Sequence, residues 1–319
     1  MWSICGREVK EGEKQTLMLN IGAKDEYLVP VTLINGVRPG KTIMFSAQIH
    51  SMENIGTVAL NKLSAMLDPA DINGQIIMFH CVNISGYWKR HIRFVPEDGK
   101  NLNAVFPGEG PEGSISDQIA DYFIKNVYEH VDFICDIHSG APGQPLENCV
   151  FYPKALREIM LPIVKDLNVH YIFQSRSKGG LYSYPANYCN VPGIILERGT
   201  GGFVYKEWVD EDIKDALRIL KYFGVYESDV EPSTEKHIWY SMMDDLFSDV
   251  KGNWYPVVEL HQHVKKGDLY GVVEDFFGNR IKEFRAEEDG TVVYYTNSPQ
   301  VEEGSMLVSY AYDRDLEDL

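Results

Sequence analysis

His50 and Glu53 are separated by two residues in the stretch 45–56, F-S-A-Q-I-H-S-M-E-N-I-G. An imidazole and a carboxylate are two of the three protein ligands that a catalytic zinc takes, with the fourth position left to water. Two further groups of the same kind follow. Residues 136–140 read D-I-H-S-G and offer His138, and Glu197 opens the run E-R-G-T-G-G. H-x-x-E alone is a common tetrad, so its meaning depends on where all of these residues fall in the fold.

They fall at the ends of apolar runs. Residues 42–46, 131–135 and 192–196 read as strands, and each run leads into one of the groups above. In an open α/β sheet, ligands bind beyond the carboxyl ends of the strands. Glu197 directly follows Ile194, Ile195 and Leu196 and precedes a Gly-rich turn, which favours a strand tip over a surface charge. Further strands are expected at 17–21, 27–34, 75–82, 151–152 and 169–173. Helices are expected at about 54–67, 116–130, 154–167 and 207–223. Residues 83–113 are rich in Gly, Pro and Asn, and a loop of that length is usually functional or disordered. Alternating strands and helices imply an α/β sheet with helices on both faces. After Glu231-Pro232 the pattern changes to short β runs broken by Gly, Asn and Asp, the mark of a small all-β barrel or sandwich. The expected division is residues 1–235 and 236–319.

The composition narrows the partners. The chain has 319 residues, 44% hydrophobic and 24% charged, as in a globular protein with a full core. A formal net charge of −17 opposes binding to nucleic acid or to an anionic membrane. No apolar run approaches the roughly 20 residues of a membrane helix, and residues 1–14 are too polar for a secretory leader. The five cysteines are scattered without a C-x-x-C pair, so a reducing cytoplasm is the expected compartment.

The ordered set H-x-x-E, D-G-K-N-L-N-x-x-F-P-G, D-I-H-S-G and E-R-G-T-G-G resembles the succinylglutamate desuccinylase/aspartoacylase family of zinc carboxypeptidase-like hydrolases. The resemblance covers about residues 42–202, and V-K-K-G-D extends it more weakly into the β module. It implies a zinc-carboxypeptidase-like mixed sheet, one Zn²⁺ per chain held by His50, Glu53 and His138, and Glu197 as general base and acid. It also implies Arg93 as the oxyanion-stabilising cation and Asn103 as a substrate-binding amide. Arg90 competes with Arg93 for that role, and the spacing to Pro96-Glu97-Asp98-Gly99 favours Arg93. Asp136 either orients His138 or caps a turn. The implied substrate is a small N-acyl amine or amino acid.

One departure bears on the substrate. The family places an arginine after the asparagine to clamp a carboxylate, whereas this chain has Ala104. Arg176, Lys178 or Arg198 could substitute, or the leaving part could be neutral, apolar or amine-bearing. The alternatives are a carboxypeptidase and a non-catalytic binding protein of the same fold. His261 and His263 form an H-x-H expected to lie in a solvated loop, and Tyr87 and Trp88 are read as pocket lining or core. The β module offers no lysine hairpin of a lipoyl or biotinyl carrier, and is expected to shape the site or a homo-oligomer.

Overall fold

The computed structural model describes residues 1–313, and among these nine strands form one large sheet. Its central strands, in spatial order Asn73–Phe79, Arg38–Ala47, Phe133–His138 and Gly193–Glu197, are mutually parallel. Leu28–Asn35 and Glu13–Asn20 extend one side antiparallel. On the other side Cys149–Pro153 pairs antiparallel with Gly193–Glu197, followed by Tyr171–Ser175 and Ile238–Tyr240. The sheet is therefore mixed.

Alternation of side chains explains why both faces are covered. Ile43, Phe45 and Ala47 pack with the helices Ile55–Met66, Arg157–Val164 and Lys206–Tyr222. Met44 between them points to the opposite layer, where the helix Ile115–Asn126 buries Ile119, Ala120 and Phe123. In the helix Ile55–Met66 the buried positions Ile55, Ala59, Leu60 and Leu63 form one stripe, and each Ile or Leu contributes about 1.5–3 kcal/mol. The helix stops at Leu67, whose backbone is extended, just before Asp68-Pro69.

Several boundaries differ from those read in the sequence. The strand expected to end at Cys135 continues to His138. The stretch 83–113 contains a short helix Ile84–Lys89, capped where Asn83 Oδ1 accepts from Gly86 N, and a 3₁₀ turn Leu102–Ala104. A further helix Ser183–Tyr188 gives no signal at all. Six residues are too few for a helical period to register.

After Ile238–Tyr240 two four-stranded antiparallel sheets follow, with Trp254, Tyr270 and Phe284 from one sharing a core with Val292, Val308 and Tyr310 from the other. This domain packs on the large sheet through Val293 and Ala311, which meet Cys149, Tyr171 and Phe173. His261 lies in an exposed turn, as expected, and that turn borders the junction. Its Nε2 lies 2.7 Å from Glu147 and its Nδ1 2.8 Å from Tyr171 Oη. No helix among the described residues is long and apolar enough to cross a membrane.

The core also holds a titratable weakness. His80 is 5% exposed, its Nε2 lies 2.8 Å from Thr32 Oγ1, and its Nδ1 has no partner among the described residues. Burial lowers its pKa to about 4. In the unfolded chain it protonates near 6.5, so between those values the unfolded state binds more protons. Its contribution is whole above about pH 6.5 and is lost as pH falls towards 4, a loss of roughly 2–3 kcal/mol. Urea midpoints at pH 7 and pH 4.5 should fall further apart in the wild type than in His80→Gln. Equal shifts would assign the acid sensitivity elsewhere.

Candidate metal centre and active-site cavity

Three neighbouring parallel strands end side by side, and each delivers one part of the site. Ala47 is level with Ile137, and His138 is level with Glu197. Beyond Ala47 the chain turns sharply at Gln48, whose φ of +58° is uncommon outside glycine. Its side chain holds the turn: Nε2 donates to Ser51 O, and Oε1 accepts from Thr57 Oγ1 at 3.2 Å. Gly56 then lets the next helix sit on the strand ends. A Cβ there would lie 2.8 Å from Ala47 Cβ and 3.0 Å from Ile137 Cγ2. The loop carrying His50 and Glu53 is thus pinned on both sides.

Glu53 is buried between two imidazoles, with Oε1 2.8 Å from His50 Nδ1 and Oε2 2.8 Å from His138 Nδ1. The ligand atoms of these three residues lie within 4.8 Å of one another, the only such group among the described residues. Their far nitrogens are also fixed. His50 Nε2 is 3.0 Å from Asn101 Oδ1, and His138 Nε2 is 2.9 Å from Asp136 Oδ2, whose other oxygen accepts from Ser46 Oγ. Oxygen acceptors place the proton on Nε2 and leave both Nδ1 lone pairs directed at one point, as metal ligation requires. Asp136 therefore orients His138 and does not cap a turn.

The electrostatics agree. Burial pushes Glu53 towards neutrality, yet His50 and His138 outweigh it and hold the carboxyl far below its usual range. Burial also opposes protonation of His138, but Asp136 and Glu53 hold it protonated well above the usual imidazole value. Without a cation, protons must satisfy these buried carboxylates. A divalent ion would do so directly, and two imidazoles with one carboxylate form a suitable donor set. Asp136→Asn is expected to weaken metal binding about 10–100-fold in a chelator competition, since it removes the group fixing His138. Unchanged affinity would show that packing alone orients the ring.

Glu197 is partly buried beside this centre, and its Oε2 has no partner among the described residues. Burial raises its pKa to about 8; His138 and Arg93 act against the rise, Glu53 and Asp136 with it. Such a carboxyl can take and give a proton near neutrality. Glu197, His50, Glu53 and Arg93 line one cavity of about 200 Å³, which the C-terminal domain closes with Asp245 and Tyr294, among others. Arg90 ends the helix Ile84–Lys89 in a left-handed conformation and lines a separate groove, with Tyr87 and Trp88. Trp88 is 75% exposed and Tyr87 half-buried, so the pair lines this outer groove and not the cavity that holds Glu197.

Asn103 stands apart from the cavity. Its Oδ1 accepts from Leu181 N at 3.3 Å, and Ala104 beside it is exposed. Asn101, two residues earlier, is the member of that motif that reaches His50. The proposed substitutes for the clamping arginine are engaged or distant. Arg198 is fully buried and pairs with Asp212 and Asp215, each at 2.6 Å, and Arg176 pairs with Asp244 at 2.6 Å. Lys178 does not line the cavity. Arg198 instead ties the helix Lys206–Tyr222 to the strand bearing Glu197. Arg198→Met should cost about 3–5 kcal/mol in a denaturant titration, because two carboxylates lose their countercharge. A loss under about 1 kcal/mol would mean that water or Arg218 replaces it.

A fold similar to this one occurs in solved structures. The ectoine utilization protein EutE (DoeB) from Ruegeria pomeroyi, in a product-bound structure, superposes with a TM-score of 0.83 at 22% identity, over 96% of this chain and 97% of that one. A succinylglutamate desuccinylase/aspartoacylase from Rhodobacter sphaeroides gives 0.79 at 20% identity, over 94% and 96%. Residues 39–223 match the model of the succinylglutamate desuccinylase/aspartoacylase catalytic domain, and the chain belongs to that family. It is also 27% identical over 287 residues to the N-alpha-acetyl-L-2,4-diaminobutyric acid deacetylase of Halomonas elongata, spanning 83% of this chain and 80% of that protein.

Proposed function

We propose that the protein is a zinc-dependent amide hydrolase that removes the acyl group from a small N-acyl amine or amino acid. The observation that carries this reading is the convergence of His50, Glu53 and His138 with Glu197 in a cavity closed by the second domain. Two histidines and a glutamate suit zinc, and the parallel strand tips that bear them suit a carboxypeptidase-like sheet. Zinc, when bound, polarises the acyl carbonyl and acidifies the attacking water. Glu197 takes the proton of that water on its carboxylate and returns it to the leaving amine. Arg93 lines the same cavity and supplies positive charge for the oxygen of the tetrahedral state. Asp136 and Asn101 keep the two imidazoles in the ligating tautomer. The relative from Halomonas elongata, a deacetylase by name, supports an acetyl or similarly small acyl group.

The test is amine release from N-acetylated amino acids and diamino acids, and from short peptides, by metal-loaded and chelated protein. Amine release only with metal and only from the N-acyl compounds is expected. N-acetylaspartate and N-succinylglutamate should be poor substrates, with kcat/KM about 10–100-fold lower than the best one, for want of a carboxylate clamp. Release that survives full chelation would overturn the metal-dependent reading, and preference for peptides would turn it towards a peptidase.

A further inference from the structure

The strand Met242–Phe247 of the C-terminal domain turns Met243, Asp245 and Phe247 towards the cavity. Its alternate positions do the reverse, with Met242 and Leu246 in or against the domain core. Asp245 is thus the carboxylate that the second domain presents to the site. It is open to the cavity, and its side chain accepts a hydrogen bond from Ser309 Oγ. No ion pair among the described residues engages it, although its neighbour Asp244 is paired with Arg176. Phe151, Phe173, Met243, Phe247 and Met306 make part of the wall apolar, and Arg93 is the cation of the same cavity. An anion in such a wall favours a cation that brings countercharge and hydrogen-bond donors together.

We infer that Asp245 binds a cationic amine on the leaving part of the substrate, so that the protein selects N-acyl compounds bearing a second, free amino group. This rests on the reading of the cavity as a site for N-acyl amines, and narrows it. The metal centre and Glu197 lie on the large sheet while Asp245 faces them from the β domain, so the acylated nitrogen and the free ammonium would occupy opposite ends of one small molecule. A cavity of about 200 Å³ is smaller than most ligand sites and admits a compact diamine or diamino acid better than a peptide. The net charge of −17 also draws cations towards the protein.

The experiment compares N-acetyl-L-2,4-diaminobutyrate with N-acetyl-L-2-aminobutyrate, which lacks the second amine, in wild type and Asp245→Asn loaded with zinc. Wild type should favour the amine-bearing compound at least about 10-fold in kcat/KM, and the variant should lose most of that preference through KM. Its rate on the neutral analogue should change less than about threefold. Equal losses on both compounds, or a preference that survives in the variant, would overturn the role of Asp245. Calorimetric titration of free 2,4-diaminobutyrate and 2-aminobutyrate separates the two readings. Asp245-dependent binding of the diamine without hydrolysis would uphold the recognition and sink the hydrolase. Hydrolysis of both compounds alike, with no selective binding, would do the opposite.

Discussion

Glu197→Gln should lower kcat by about 10²–10⁴-fold while the protein keeps its metal. The amide has nearly the volume of the carboxyl and can still hydrogen-bond, but it can neither accept the proton of water nor deliver it to an amine. Glu197 is separate from the three residues whose ligand atoms converge, so its loss should spare the centre. KM should move little, since in the proposed role the group acts on the reacting water and not on the bound substrate. Stability should rise slightly if it changes at all, because a half-buried carboxyl whose Oε2 has no partner among the described residues is replaced by a neutral group. Metal analysis and steady-state kinetics on the same preparation decide the matter. Loss of metal together with activity would make Glu197 a ligand, and an unimpaired kcat would remove it from the reaction.

The second large effect concerns the metal. Wild type is expected to carry about one zinc per chain and His50→Ala/His138→Ala essentially none, because one carboxylate cannot hold the ion without the two imidazoles. Activity should vanish with it. The metal-free wild type should nevertheless stay folded, since each Glu53 oxygen lies 2.8 Å from one of the two imidazoles. Zinc should then raise the melting temperature of the wild type in proportion to the logarithm of its free concentration, and should leave the double variant unmoved. Full occupancy in the double variant would place the metal elsewhere.

Much of this site is legible in the sequence because it hangs on strand ends. An apolar run followed at once by His138 or Glu197 fixes both the strand and the edge at which the residue emerges, and parallel pairing brings those edges together. The His50 and Glu53 loop is legible for the same reason. Asn101 was within reach, since it belongs to the same Asn-rich motif as Asn103, but the turn Leu102–Ala104 decides which amide faces the imidazole. A 3₁₀ turn of three residues leaves no periodic trace. Asp245 and Tyr294 were not legible at all. They come from a domain whose docking depends on contacts such as Val293 with Phe173, and long-range packing of that kind has no local signature.

The strand Met242–Phe247 serves two masters by alternation, and this has a bearing on how such a protein can change over generations. Met242 and Leu246 answer to the interior of the β domain, so replacing them endangers folding. Met243, Asp245 and Phe247 line the cavity and lie outside the β-domain core, although Met243 also packs at the junction with the large sheet and Asp245 accepts from Ser309 Oγ. A lineage can therefore redraw the substrate end of the site one residue at a time, while the strands that bear His50, Glu53, His138 and Glu197 stay untouched. Relatives that share the same reaction but consume different amines would be expected to diverge first at these three positions.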